Sequence, residues 1–186
     1  MMYGLSMYIR YAGYALVALI AFVFTYLTCP LWALLAAFFN LESLPGPLAW
    51  VHTHDDNIYG AGLRASEMGD SVRVPKTFVK RFKTACWWIW RNPNYGFNSE
   101  VLGISDDGAT VTFFRDDQNF DMGQTAVRSY VIERKGKKYF GYRRDQRLWG
   151  KRFIKMWFGW QADLLGDSTQ HMLKVAFNPF RTFGKP

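Results

Sequence analysis

No charged residue occurs between Tyr11 and Phe39, a stretch that opens after Arg10 and closes before Glu42. That absence excludes an ordinary solvated start to a domain. As an α-helix, Tyr11 to Thr28 would be roughly 27 Å long, close to the hydrocarbon thickness of a bilayer. Cysteine is almost missing: Cys29 lies inside the apolar run and Cys86 beside Trp87. Two cysteines so placed give neither a disulfide framework nor a paired-cysteine zinc motif, and both are expected to be reduced. There is no Gly-rich phosphate loop, no nucleophile elbow and no His-Glu-x-x-His helix, so no cofactor is expected. Internal repeats and low-complexity tracts are also missing.

What is present is apolar and basic. The chain has 186 residues, 49% hydrophobic and 18% aromatic, with a net charge of +8. Of the 23 basic residues 22 follow residue 40, as do all 15 acidic ones, leaving +7 on the remainder. That balance suits anionic lipid head groups, nucleic acid or acidic proteins as partners. The apolar run is far longer than the roughly 7–15 residues of a signal peptide, and no small-x-small site follows it. It reads as a retained membrane anchor over residues 1–42, with a span of about 11–29. Pro30 removes a backbone donor and frees the Tyr26 carbonyl, which predicts a kink there. Gly13, Ala21, Thr25, Cys29, Ala33 and Ala37 form a small-residue stripe through which two copies could associate.

Ser43-Leu-Pro-Gly-Pro47 is a breaker cluster, and residues 43–186 are expected to form one basic, β-rich domain. His52, His54, Asp55 and Asp56 fall within five residues, the spacing of possible metal ligands. Complete sites need three or four ligands with a second cluster to supply them, and His171 stands alone, so a polar turn is the favoured reading. Pro75 to Arg91 has helical periodicity in Phe78, Phe82, Cys86 and Ile89. With Trp50 nearby, its Lys80, Lys83, Trp87, Trp88 and Trp90 fit either an interfacial helix on anionic lipid or a helix packed by its aromatic face.

From Glu100 onward the period changes to two. Residues 101–105 and 109–115 flank Asp106-Asp107-Gly108 as a hairpin, and 127–133 and 138–144 flank a second turn. Residues 153–161 and 172–177 supply two more strands. The fold class is therefore α+β: an N-terminal transmembrane helix, then a mostly antiparallel sheet, curled or closed into a small barrel, with one amphipathic helix. Arg134, Lys135, Lys137, Tyr142, Arg143 and Arg144 interleave charge with aromatic surface. That pattern suits single-stranded nucleic acid, and equally a basic sheet face beside a membrane.

Trp90-Arg-Asn-Pro-Asn-Tyr-Gly-Phe97 followed by Val101-Leu-Gly103 resembles the central signature of a family of small membrane proteins of tailed bacteriophages. Thr53-His-Asp-Asp-Asn57 with Gly60, Gly159-Trp160 and Asn178-Pro-Phe-Arg181 are similar as well. In that family a proline stands where this chain has His54, which speaks against a metal role for His54. The resemblance implies a phage-encoded protein of the host inner membrane and carries no catalytic residues to transfer. The expectation is a non-enzymatic binding protein whose soluble domain faces the cytoplasm, with anionic lipid and a host or phage protein as partners. A virion or assembly component that oligomerises through its helix, and a metal-dependent hydrolase, are the competing readings.

Overall fold

The computed structural model describes residues 2–52, 57–59, 75–162 and 170–182. It is an α+β fold in which a long apolar helix is followed by antiparallel sheet that does not close into a barrel. Helix α1, Met2–Phe39, runs for 38 residues, roughly 57 Å at the standard helical rise. It passes through Pro30 without ending. The break expected there is not made. Thr28, two residues before Pro30, donates its hydroxyl to Phe24 O at 2.7 Å and accepts from the indole of Trp32 at 2.7 Å. These side-chain bonds tie successive turns together where proline leaves a carbonyl without its usual donor. The helix stops instead at Asn40, whose φ of 61° turns the chain left-handed, while Leu41 N bonds Ala36 O at 2.9 Å. That six-to-one bond is a Schellman cap.

The chain divides into two compact units at positions other than the breaker cluster. The first comprises Met1–Ala15 with Leu102–Pro186, the second Leu16–Val101. Residues 43–186 are therefore not one unit. Within the second, α2 (Phe78–Arg91) packs Ala85 and Ile89, with Phe82 and Cys86, against Cys29, Ala33 and Ala36 of α1. Where they meet, small side chains let the Cys29 thiol reach Cys86 O at 3.5 Å. The stripe expected to join two copies is thus buried within the chain at Thr25, Cys29, Ala33 and Ala37.

Among the described residues the first unit carries seven strands: β1 (Ile104–Ser105), β2 (Thr110–Asp116), β3 (Ala126–Arg134), β4 (Lys137–Arg147), β5 (Arg152–Trp160), β6 (Gln170–His171) and β7 (Leu173–Thr182). Five form one antiparallel sheet in the order β2-β3-β4-β5-β7, and β1 pairs with β6 alone. The Asp106–Gly108 turn is made, with Ala109 N on Asp106 O at 2.9 Å and Gly108 at φ 68°. The strands on its two sides join different sheets, so the expected first hairpin does not form. Buried His171 on β6 stands beside the turn, its Nε2 3.0 Å from Asp106 Oδ1. The β3–β4 hairpin is as expected, with Lys135 and Gly136 both at positive φ, the pattern of a type I′ turn.

Two glycines make the centre of the sheet possible. Tyr130 on β3 lies across Gly141 on β4, where a Cβ would sit 2.1 Å from the tyrosine ring. At Gly159, with φ 88°, a Cβ would fall 2.0 Å from Phe140 O. The phenol thereby reaches the far edge, donating to Trp160 O at 2.8 Å and accepting from Ala162 N at 2.7 Å. Burial pushes its pKa up to about 12, so it stays a neutral donor. Trp160, fully buried, passes its indole proton to Leu102 O at 2.9 Å. Replacing Tyr130 with phenylalanine should leave two buried backbone groups unpaired and cost about 1–3 kcal/mol. Chemical denaturation of the detergent-solubilised full chain measures this; an unchanged midpoint would show that the bonds contribute nothing.

Candidate functional site

Three features hold chemistry, and each is described within its own unit. In the second unit, α1 turns one face inward at Ala18, Thr25, Cys29, Ala33 and Ala36 and leaves the opposite face bare. Leu16, Leu19, Ile20, Val23, Leu27, Leu31, Leu34 and Phe38 form that bare face at three- and four-residue intervals. On α2, Trp87 and Trp90 are exposed with Phe78 and Val79, while Lys80 and Lys83 project beside them. Trp90 stacks on Tyr26 at 5.8 Å and 10° between ring planes, and Tyr26 in turn meets Phe22 at 4.7 Å. Exposed aromatic rings and lysines on α2 thus accompany the apolar stripe of α1, the composition of a membrane–water boundary.

The interfacial residues read from sequence separate into two groups. Lys80, Lys83, Trp87 and Trp90 are on the surface. Trp88 is only 7% exposed, under the guanidinium of Arg91 at 5.2 Å, and Trp50 donates its indole proton to Glu100 at 2.8 Å. One helix serves both readings: it packs by one face and displays aromatic and basic groups on the other. Trp88→Ala should therefore cost about 3–5 kcal/mol, and Trp90→Ala well under half of that. Thermal unfolding of the two single variants checks the order; equal losses would refute the division.

The signature turn after α2 is spent inside this unit. Asn94, buried and at φ 56°, accepts the Thr25 hydroxyl proton at 2.5 Å, and its backbone N bonds Val51 O at 3.2 Å. Gly96 N bonds His52 O at 2.9 Å, so close that a Cβ would meet Trp50 Cα at 3.1 Å. His52 is buried with Nε2 3.3 Å from Ser43 Oγ, a position that closes the short helix Gly46–Val51. His54, Asp55 and Asp56 lie outside the described residues. Cys29 donates its thiol to Cys86 O at 3.5 Å, and both cysteines are free.

The second feature is an ionic cluster on one face of the five-stranded sheet. Register puts Arg128, Arg143 and Trp157 in one row and Asp145 and Lys155 in the next. The loop after β2 supplies Asp121, held at φ 60°. Its carboxylate meets Arg143 at 2.5 Å, Lys155 at 3.3 Å and Arg181 at 3.4 Å, and its backbone N bonds Asp145 Oδ2 at 2.7 Å. Asp145 is 1% exposed and sits 3.5 Å from Arg143. Arg143 also lies over Phe120 at 4.3 Å and Trp157 at 4.8 Å, and Arg128 pairs with Asp116. Lys155 and Lys174 approach the same Trp157 ring at 5.2 and 4.9 Å.

The basic-aromatic residues read from sequence are not one surface. Arg143 is in this cluster, Tyr142 and Arg144 alternate around it on the strand so that they cannot share its face, and Arg134, Lys135 and Lys137 belong to the hairpin tip. Nothing in the one-dimensional charge pattern revealed that Asp121, five residues into a polar loop, would come back onto it. The arrangement clamps that loop to the sheet. Burial works to raise the Asp121 pKa, but Lys155, Arg143 and Arg181 together outweigh it and hold the carboxyl below the usual range. A depressed carboxylate stabilises the fold above its unfolded pKa of about 3.9 and ceases to do so as pH falls through the folded value. Acid titration followed by tryptophan fluorescence should show a step below that range, absent in Asp121→Asn; an identical profile in the variant would dismiss the clamp.

The third feature is a cavity of about 610 Å³ in the first unit, on the sheet's other face, between that face and the start of α1. Met7, Tyr8 and Tyr11 form one wall, and Phe114, Tyr142 and Phe158 part of the other. Tyr8 and Tyr11 meet Phe140 at 5.0 and 4.9 Å between ring centres, and the Tyr11 hydroxyl donates to Lys174 O at 3.1 Å.

These features define an α+β protein with, among the described residues, one helix, Gly4–Phe39, long and apolar enough to cross a membrane. The chain belongs to DUF7338, a family of unknown function, whose model matches residues 1–185. No curated protein and no solved structure matches it.

Proposed function

We propose that this is a membrane-anchored, non-enzymatic binding protein of a tailed bacteriophage, attached to the inner membrane of the bacterial host. The bare face of α1 carries the reading. Eight large apolar side chains from Leu16 to Phe38 stand exposed along one side of a helix whose other side is packed. Left in water, such a continuous patch invites association; in hydrocarbon it is satisfied. Trp87, Trp90, Lys80 and Lys83 are exposed on α2 and suit anionic head groups. The phage origin rests on the resemblance of the Trp90–Phe97 turn.

The described side chains contribute clamps, caps and packing more than reactive groups. Binding a host or phage protein in host takeover, exclusion or defence evasion fits such a scaffold. Free Cys29 and Cys86 and the 22 basic residues after residue 40 suit the reducing, anionic cytoplasmic side.

The full-length protein should pellet with membranes and resist carbonate extraction. Ile20→Lys combined with Leu27→Lys places two charges on the bare face, at roughly 2.5–3.5 kcal/mol each in hydrocarbon, and should release it. A soluble wild type would overturn the attachment. A phosphatase fused after Pro186 is expected to be inactive; activity there would place the carboxyl terminus in the periplasm instead.

A further inference from the structure

We infer that the cavity between the start of α1 and the sheet binds the chain of a single-chain anionic amphiphile, a long-chain fatty acid being the simplest. The site deepens the membrane reading, since such ligands partition into bilayers. Its walls are apolar and aromatic almost throughout, with Ser129 and the hydroxyls of Tyr8 and Tyr142 as polar points. Pockets that enclose one small ligand run from about 300 to 1,000 Å³ and have this make-up. The volume of about 610 Å³ is in that range.

The residues at the ends of the cavity select the head group. On β4, alternation puts Arg144 on the same face as Tyr142, one step beyond the cavity floor. Its guanidinium bonds the neutral Gln146 at 2.6 and 3.2 Å, so its charge is not cancelled by that partner. At the other end Arg10, within the α1 segment that forms the wall, donates to Lys138 O at 3.2 Å and lies 5.0 Å over Tyr139. These two partners are again a carbonyl and a ring. Greasy walls between two cations not neutralised by these contacts favour a carboxylate-headed chain over a neutral one.

Binding of a fluorescent long-chain fatty acid to the detergent-solubilised full chain tests this, with the neutral alcohol of equal length as control. Saturable binding is expected, tighter for the acid by about fivefold, as for a partly exposed charge pair. Arg144→Gln should remove most of that preference while keeping the chain bound. Ser129→Trp and, as a milder filling, Val131→Phe should abolish binding with unchanged far-ultraviolet circular dichroism. Equal affinity for acid and alcohol, or binding that survives both filled variants in folded form, would overturn the proposal. Carbonate resistance of the filled variants is expected to match wild type. Site and anchor can therefore fail separately: a soluble wild type that still binds the acid supports the cavity and retires only the attachment.

Discussion

A helix with no charge over 29 residues has to find cover, and the chain supplies it on one face while leaving the other bare. In the first unit the opening turns of α1 present Met7, Tyr8 and Tyr11 to the sheet. In the second, Cys29, Ala33 and Ala36 receive α2, and Tyr59 donates its hydroxyl to Ala36 O at 3.3 Å. Each unit thus has a wall that comes from α1. This is why a boundary after residue 42, natural for a tether and its cargo, does not divide the chain. A tether could be exchanged for any other apolar span; this helix carries residue-specific contacts along its length.

How much of this was legible follows from the range of each signal. Local chemistry was readable: the apolar run, the end of α2 at Arg91, the Lys135-Gly136 turn and most strands fall where periodicity and turn residues put them. Non-local pairing was not. Residues 101–105 look like the first arm of a hairpin because an Asp-Gly turn follows, yet the turn fixes only direction. Whether the arm pairs with its neighbour depends on competition from β6, more than 60 residues away, and sequence spacing carries no term for that. The continuity of α1 through Pro30 was hidden for a related reason. Pro30 does remove a donor, but hydroxyl and indole bonds around Thr28 lie on the same helix and compensate without leaving a mark in the apolar pattern.

The ionic cluster illustrates the limit of reading charge along a line. Ten basic residues in a short stretch look like a cationic surface. A strand alternates its faces, so Arg143 and Arg144 cannot act together. On the Arg143 side, Asp121, Asp145 and Asp116 take up much of the positive charge. What remains is a brace for a loop, partly sunk beneath Phe120 and Trp157. A nucleic-acid surface needs cations free to meet phosphates and rings free to stack. Here the same rings already carry the same cations, which argues that the cluster serves the fold before it serves any ligand.

The signature turn carries the same lesson a step further. Trp90 to Phe97 is the stretch that reads as a signature in the sequence, and such a motif invites a functional interpretation. Its side chains point to a different one. Asn94 is consumed by Thr25 and by the Val51 carbonyl, and Gly96 is there because backbone from residues 49 to 52 passes too close for a Cβ. The motif therefore encodes a junction that seats the end of α2 on the α1 side and on the Gly46–Val51 helix. Any binding role would then lie on surfaces the junction leaves bare, among which the α1 stripe and the cavity beside Tyr8 and Tyr11 have defined chemistry.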